Sequence, residues 1–150
     1  MTETVHATVV IERDFAAAPA RVFKAWADPD QRRQWDIPSA EWVVAEQRQD
    51  FRVGGEEYSR FGPVDDPQYI AKGFYLDIVP NERIVSAGTM HFGEQRSSST
   101  LCTVELAPHG KGTRLKITDQ SAYLGGGESP GDRDGGWNEV ADKLVAFLAG

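Results

Sequence analysis

Residues Val5 to Phe15 alternate with period two, Val5, Ala7, Val9 and Ile11 on one side and His6, Thr8, Val10 and Glu12 on the other. A β-branched run of this kind predicts a strand. Ala18-Pro19-Ala20 then opens a helix whose short apolar face is Val22, Phe23 and Trp26. Asp28-Pro29 ends it and starts a second short helical turn through Arg32 and Arg33 to Trp35. Six further strands follow: Glu41 to Glu46, Glu56 to Phe61, Gln68 to Val79, Ile84 to Phe92, Arg96 to Leu106 and Thr113 to Ser121. The links between them are short and rich in glycine, proline, asparagine and aspartate, which predicts antiparallel neighbours. Ala122 to Glu128 is a glycine-rich link with the composition of a flexible hinge.

The last stretch, Ser129 to Leu148, changes period. Trp137, Val140, Ala141, Leu144, Val145 and Leu148 form one apolar stripe at helical spacing, opposite Asn138, Glu139, Asp142 and Lys143. Ser129-Pro130 supplies a capping hydroxyl and a proline at the first helical position. Asp132 and Asp134 suit the positive end of the helix dipole. Gly135-Gly136 is unfavourable mid-helix by roughly 1 kcal/mol each, so a close approach of the helix backbone to another surface or a ligand is expected.

The predicted order is one strand, two short helices, six antiparallel strands and one long helix, all in a single α+β domain over residues 1–150. A twisted sheet of about seven strands can curl around such a helix. The space between concave face and helix is where a ligand would sit.

Composition narrows the reading. A formal net charge of −7 argues against nucleic acid and anionic membrane as partners. Cys102 is the single cysteine, so no intrachain disulfide or cysteine metal cluster is expected. The three histidines, His6, His91 and His109, lie at no metal-ligand spacing, and no metal or other cofactor is expected. No basic-then-apolar leader and no membrane-length apolar run is present, which makes the cytoplasm the expected location.

Several stretches together carry a family resemblance. They are Ala18 to Trp26, Asp28-Pro29, Trp35, Asp50 to Gly55, Gly73 to Val85, Gly112 to Leu115 and Gly136-Trp137. In this order they resemble the START/Bet v 1-like helix-grip superfamily, also called SRPBCC or the polyketide cyclase/dehydrase and lipid transport superfamily. The branch they most resemble is the bacterial relatives of the C-terminal domain of the activator of the ninety-kilodalton heat-shock chaperone's ATPase. The resemblance implies the helix-grip fold; the fold hosts binding proteins, cyclases and adaptors alike and names no reaction.

Candidate chemistry is sparse. Gly54-Gly55 opens a strand rather than a helix and reads as a structural turn, not a phosphate cradle. Gly125-Gly126-Gly127 also lacks a phosphate-binding context. Cys102 reads as a small buried hydrophobe, and His109 as a solvated turn. His91 and Asp119 are the two candidates for acid–base work. Ser98 and Thr100 precede Cys102 on one face of their strand; Asp119 and Ser121 continue the Leu115 and Ile117 face of theirs. Such polar groups on an apolar face either bond one another or orient a ligand. Trp35, Phe92, Tyr123 and Trp137 are the aromatic candidates for lining a pocket. Which face of each strand is inner stays open, because one bulge inverts it.

Three readings follow. The first is binding of a small, largely apolar molecule between sheet and terminal helix. The second is a cyclase or hydratase in the same cavity. The third is a stress-response or chaperone-associated interaction module, with a homodimer through the exposed sheet face.

Overall fold

The computed structural model describes residues 3–150. Seven strands form one antiparallel sheet: β1 (Val5–Phe15), β2 (Trp42–Gln49), β3 (Glu56–Pro63), β4 (Tyr69–Val79), β5 (Arg83–Phe92), β6 (Gln95–His109) and β7 (Gly112–Tyr123). The helices are α1 (Pro19–Ala27), α2 (Pro29–Arg32) and α3 (Pro130–Ala149). Strands β2 to β7 run as a meander, and β1 pairs with β7 from Val5↔Tyr123 to Phe15↔Thr113. The spatial order is β1-β7-β6-β5-β4-β3-β2. The chain therefore leaves the sheet at one edge, passes through α1 and α2, and re-enters at the opposite edge.

This is the helix-grip arrangement. α3 begins with a reciprocal capping box: Asp132 N donates to Ser129 Oγ and Ser129 N to the Asp132 carboxylate, each at 3.1 Å. Its Val140, Ala141 and Leu144 are buried, and Trp137, Val145 and Leu148 pack at the margin of the core. They meet Ile11, Val104, Leu106, Leu115 and Ile117 of the sheet and Val22, Ala25 and Trp26 of α1. Among the described residues no helix is long and apolar enough to cross a membrane.

Glycine shapes the sheet where the sequence could not say. Gly73 and Gly88 are directly paired on β4 and β5. A Cβ at either would stand 2.2 Å from a backbone oxygen of the facing strand. Any side chain here would push the strands apart, so the pair permits the close approach of β4 and β5. Gly54 has φ +84°, and its N–H donates to Tyr75 O at 2.8 Å. The turn before β3 is thus a structural hook onto β4, with Phe51 wedged between Phe23 and Tyr75 at 5.6 and 5.0 Å.

Four local expectations are corrected. β7 runs on to Tyr123 and β6 to His109, because the β6–β7 ladder stays in register over its whole length. His109 consequently ends a strand, where its Nε2 lies 3.2 Å from Arg114 Nη2. The link after β7 is anchored: a Cβ at Gly126 would stand 2.9 Å from Ser97 Cα, so this backbone packs directly on β6. Gly135 and Gly136 make no close approach to another protein surface: nothing stands within 4 Å of a Cβ at Gly135, and at Gly136 it would make only ordinary contact with Pro38, at 3.6 Å, which leaves the cavity beside Gly136 as the surface it faces.

Candidate functional site

The inner face of the sheet changes character in steps, and the cross-strand register defines each step. Phe61, Tyr69 and Phe92 form an aromatic row. Ser59, Ala71, Met90, Ser98 and Tyr123 form the next. Then come Glu57, Gly73, Gly88, Thr100 and Ser121, followed by Tyr75, Ser86, Cys102 and Asp119. The far row, Ile84, Val104, Ile117 and Ile11, is closed core. Between the aromatic row and the core lies a cavity of about 720 Å³, walled on the helix side by Arg133, Gly136, Trp137 and Val140. That volume is in the range of small-molecule sites.

Rings gather at its mouth. Trp42 stacks on Tyr69 at 5.0 Å and 20°, and Phe61 on Tyr69 at 5.8 Å and 20°. Phe92 tilts against Tyr69 at 5.1 Å. Parallel and tilted rings of this kind present flat apolar surface.

Two buried guanidinium groups hold the polar walls. Arg133, on the first turn of α3, reaches down to β6 and β7. Its Nη1 donates to Asp119 Oδ2 at 2.8 Å and Thr100 Oγ1 at 2.9 Å, and its Nη2 to Ser98 Oγ at 2.7 Å and Glu128 Oε1 at 2.7 Å. Nε donates to Glu128 Oε2 at 3.1 Å. Desolvation pulls the Arg133 pKa down, but the Glu128 and Asp119 carboxylates more than reverse it. Asp119 also accepts from Trp137 Nε1 at 2.7 Å and from Ser121 Oγ. With its side chain 1% exposed, this carboxylate is held by three donors.

On the opposite side, Arg32 of α2 donates through Nε to Asp36 at 2.8 Å. Its Nη1 lies 3.1 Å from Glu57 Oε2, 3.0 Å from Tyr75 Oη and 3.3 Å from Gln49 Oε1. Burial pushes the Tyr75 phenol well up, so it stays a neutral hydroxyl. Burial likewise raises the Cys102 thiol, with the Asp119 charge adding to it. Cys102 is therefore a poor nucleophile.

The sequence candidates separate cleanly. Thr100, Asp119, Phe92 and Trp137 border the cavity. Ser98, Ser121 and Tyr123 sit behind its wall: the two hydroxyls hold Arg133, whose guanidinium lies 5.6 Å over the Tyr123 ring. Trp35 is not a cavity residue. It is fully buried, donates Nε1 to Ala25 O at 3.1 Å and meets Trp26 edge-on at 4.6 Å. His91 is on the outer face beside Thr89, its Nε2 2.9 Å from Thr89 Oγ1. Desolvation, then the charges of Lys72 and Arg96, lower its pKa. Adjacent strand residues point to opposite faces, so Phe92 and His91 cannot both look inward.

The match to known proteins bears on the same geometry. The family model for Activator of Hsp90 ATPase homolog 1-like protein aligns with residues 16–149. The chain belongs to this family. As a member of the Activator of Hsp90 ATPase homolog 1-like family it is similar to a solved structure from Rhizobium loti, at 40% identity, TM-score 0.88, covering 98% of this chain and 100% of that one. A second, from Rhizobium leguminosarum, is 38% identical with TM-score 0.89, covering 98% and 97%. An AHSA1-like protein from Aeromonas hydrophila shares the fold at 21% identity and TM-score 0.73, covering 95% and 92%. Comparison with functionally curated proteins found no match.

In this family member the residues that sequence reasoning missed are Arg133, Glu128, Arg32, Glu57, Trp42 and Tyr69. Arg133 had a readable signal: it stands four residues before Trp137 and extends the apolar stripe of α3. Arg32 and Glu57 are 25 residues apart and had none.

Proposed function

We propose that this protein binds a small, flat, largely apolar molecule in the cavity between the inner sheet face and α3. The observation that carries the reading is the cavity of about 720 Å³, half open to solvent, with aromatic rings at its mouth and hydrogen-bonded polar groups in its walls. A protein with no occupant would gain stability by filling such a space with side chains. Asp119 is committed to three donors and His91 faces away. Neither favours proton transfer, and the binding reading is preferred to the cyclase or hydratase one.

The test is a fluorescence titration with N-phenyl-1-naphthylamine, an uncharged aromatic probe, beside native mass spectrometry and organic extraction of gently purified protein. Saturable binding of one probe per chain, weakened in Tyr69→Ala, is the expected result. Absence of both probe binding and any co-purifying small molecule overturns the reading.

A second reading, a protein-interaction module acting through the outer sheet face, has one observation of its own. Phe74, Ala87 and Leu101 are cross-strand neighbours there, with Phe74 54% and Leu101 39% exposed. An exposed apolar ladder suits a protein partner or a second copy. Sedimentation equilibrium of Phe74→Glu against the parent decides whether self-association uses it.

A further inference from the structure

Arg32 and Arg133 are built alike, each a guanidinium held by two carboxylates at one side of the cavity, yet one is saturated and the other is not. All five N–H groups of Arg133 are directed at protein acceptors, through Nε, Nη1 and Nη2. Arg32 directs Nε at Asp36 and Nη1 at Glu57, Tyr75 and Gln49, and its Nη2 has no protein acceptor. Two donor N–H groups are thus left over on a side chain that lines the cavity.

Its neighbours are incomplete as well. Among the described residues three buried side-chain polar atoms have no hydrogen-bond partner: Trp26 Nε1, Gln47 Oε1 and Tyr123 Oη. Trp26 and Gln47 both line the cavity, and both stand beside Arg32. The Arg32 Cζ lies 5.6 Å from the centroid of the Trp26 ring. Gln47 shares the inward side of β2 with Gln49, whose Oε1 is 3.3 Å from Arg32 Nη1. A buried donor or acceptor without a partner destabilises a fold, so native interiors hold few of them. Three unsatisfied groups in one corner of a cavity mark a place that a bound molecule completes. Charge there is mixed: Asp36 and Glu57 face Arg32, Arg33 is paired with Asp30, and Lys72 also borders the cavity. The hydrogen-bond inventory, with two kinds of donor unmet, is what distinguishes the corner.

Resting on the small-molecule reading above, we infer that the ligand carries an acceptor oxygen, of the carbonyl or carboxylate kind, that docks at Arg32 Nη2 and Trp26 Nε1. Gln47, with an acceptor and two donors in one amide, serves a second polar atom on the same head group. Phe61 in the aromatic row and Glu57 beside Arg32 stand four residues apart on β3, roughly 13 Å. A ligand of that length lays its rings against Phe61 and Tyr69 and its oxygen in the corner.

Three probes that share one ring system test this: 6-propionyl-2-dimethylaminonaphthalene, the same compound with propyl in place of propionyl, and the corresponding 2-naphthoate, titrated into the full chain. The propyl compound is the most apolar, so an apolar cavity alone would favour it. The expected result is the reverse, with the ketone or the carboxylate roughly tenfold tighter than the propyl compound. Which of those two binds more tightly tells whether the head group is neutral or anionic. Arg32→Lys and Trp26→Phe, checked for folding by circular dichroism, should each reduce that advantage while N-phenyl-1-naphthylamine, which has no acceptor oxygen, binds as before. A readout on the parent chain needs no variant: the infrared carbonyl stretch of carbon-13-labelled ketone should fall below its position in a solvent without hydrogen-bond donors. Propyl binding as tightly as both oxygen-bearing probes, or an unshifted carbonyl band in the bound ketone, overturns the inference and leaves the cavity reading in place. An advantage that survives intact in both variants places the oxygen elsewhere and overturns it too. If all three probes and N-phenyl-1-naphthylamine fail to bind, the small-molecule reading itself falls, and this inference with it.

Discussion

The two ends of the inner sheet face are made from the same strands and the same alternating pattern, yet one is core and the other is a cavity mouth. At the closed end, Ile84, Val104, Ile117 and Ile11 lie side by side and none exceeds 5% exposure. At the open end, Phe61, Tyr69 and Phe92 lie side by side in the same way, and exposure climbs from 9% at Phe61 to 45% at Phe92. The difference comes from what returns over them. The apolar faces of α1 and of the C-terminal half of α3 cover the first row through Val22, Trp26 and Leu144. Only the polar first turns of α3, through Arg133 and Trp137, reach toward the second. Alternation alone makes a face; a helix decides whether that face becomes core or site.

The sharpest break of this contrast is at the joint between the halves. Asp119→Ala leaves Arg133 buried beside an incomplete set of acceptors and should destabilise the fold by about 3–5 kcal/mol, read by urea denaturation. Asp119→Asn, which keeps the shape, should lose less. Within the closed end, Leu144→Ala should lower stability by about 2–5 kcal/mol in the same assay and leave probe affinity per folded molecule unchanged. Tyr69→Ala at the open end should do the reverse, weakening the naphthylamine probe at least tenfold with a much smaller shift of the urea midpoint. Trp35→Phe belongs with the core: it should destabilise by losing the bond to Ala25 O and leave probe affinity alone.

Smaller effects sharpen the picture. Burial and the Asp119 charge raise the Cys102 thiol, so iodoacetamide at pH 8 should alkylate it far more slowly than a free cysteine, and bound probe should slow it further. Alkylation at the free-cysteine rate would contradict the half-buried, carboxylate-flanked environment. The smallest effect is at His91, outside the cavity. Its folded pKa lies below the ordinary 6.5, so the unfolded chain takes up the proton first. Stability due to this group is complete above pH 6.5 and is lost as pH falls toward the folded pKa. Proton NMR titration should place the ring below 6.5, and His91→Gln should flatten the stability profile in that window without affecting probe binding.

Much of the site was legible in part. Phe92 and Trp137 stand at the cavity because alternation and helical spacing put them on the inward face. The same rule read consistently would have excluded His91: counting by twos from Ile84 reaches Met90 and Phe92, never 91. Trp35 had no local signal marking it as core, since the short helical turn it ends has no apolar periodicity of its own. Only the packing of α1 shows that Trp35 fills the space behind Trp26 while Trp42 lies over Tyr69.

By itself the sequence determined the elements, their order and the meander of β2 to β7, because period, capping and short turns are local properties that a few neighbouring residues decide. The capped, striped terminal helix and the polar points along β6 and β7 belong to the same local record. Tertiary structure alone decided that β1 closes on β7, that Gly73 meets Gly88 at close quarters, and that Arg32 and Arg133 reach Glu57 and Asp119 on the sheet. Those contacts join residues far apart in the chain. Their register is displaced by irregularities at Val44/Glu46, Tyr75/Asp77 and Met90/His91 that no local pattern announces. Whether a side chain is wall, floor or core depends on curvature and coverage, and both arise only when the sheet has closed around its helix.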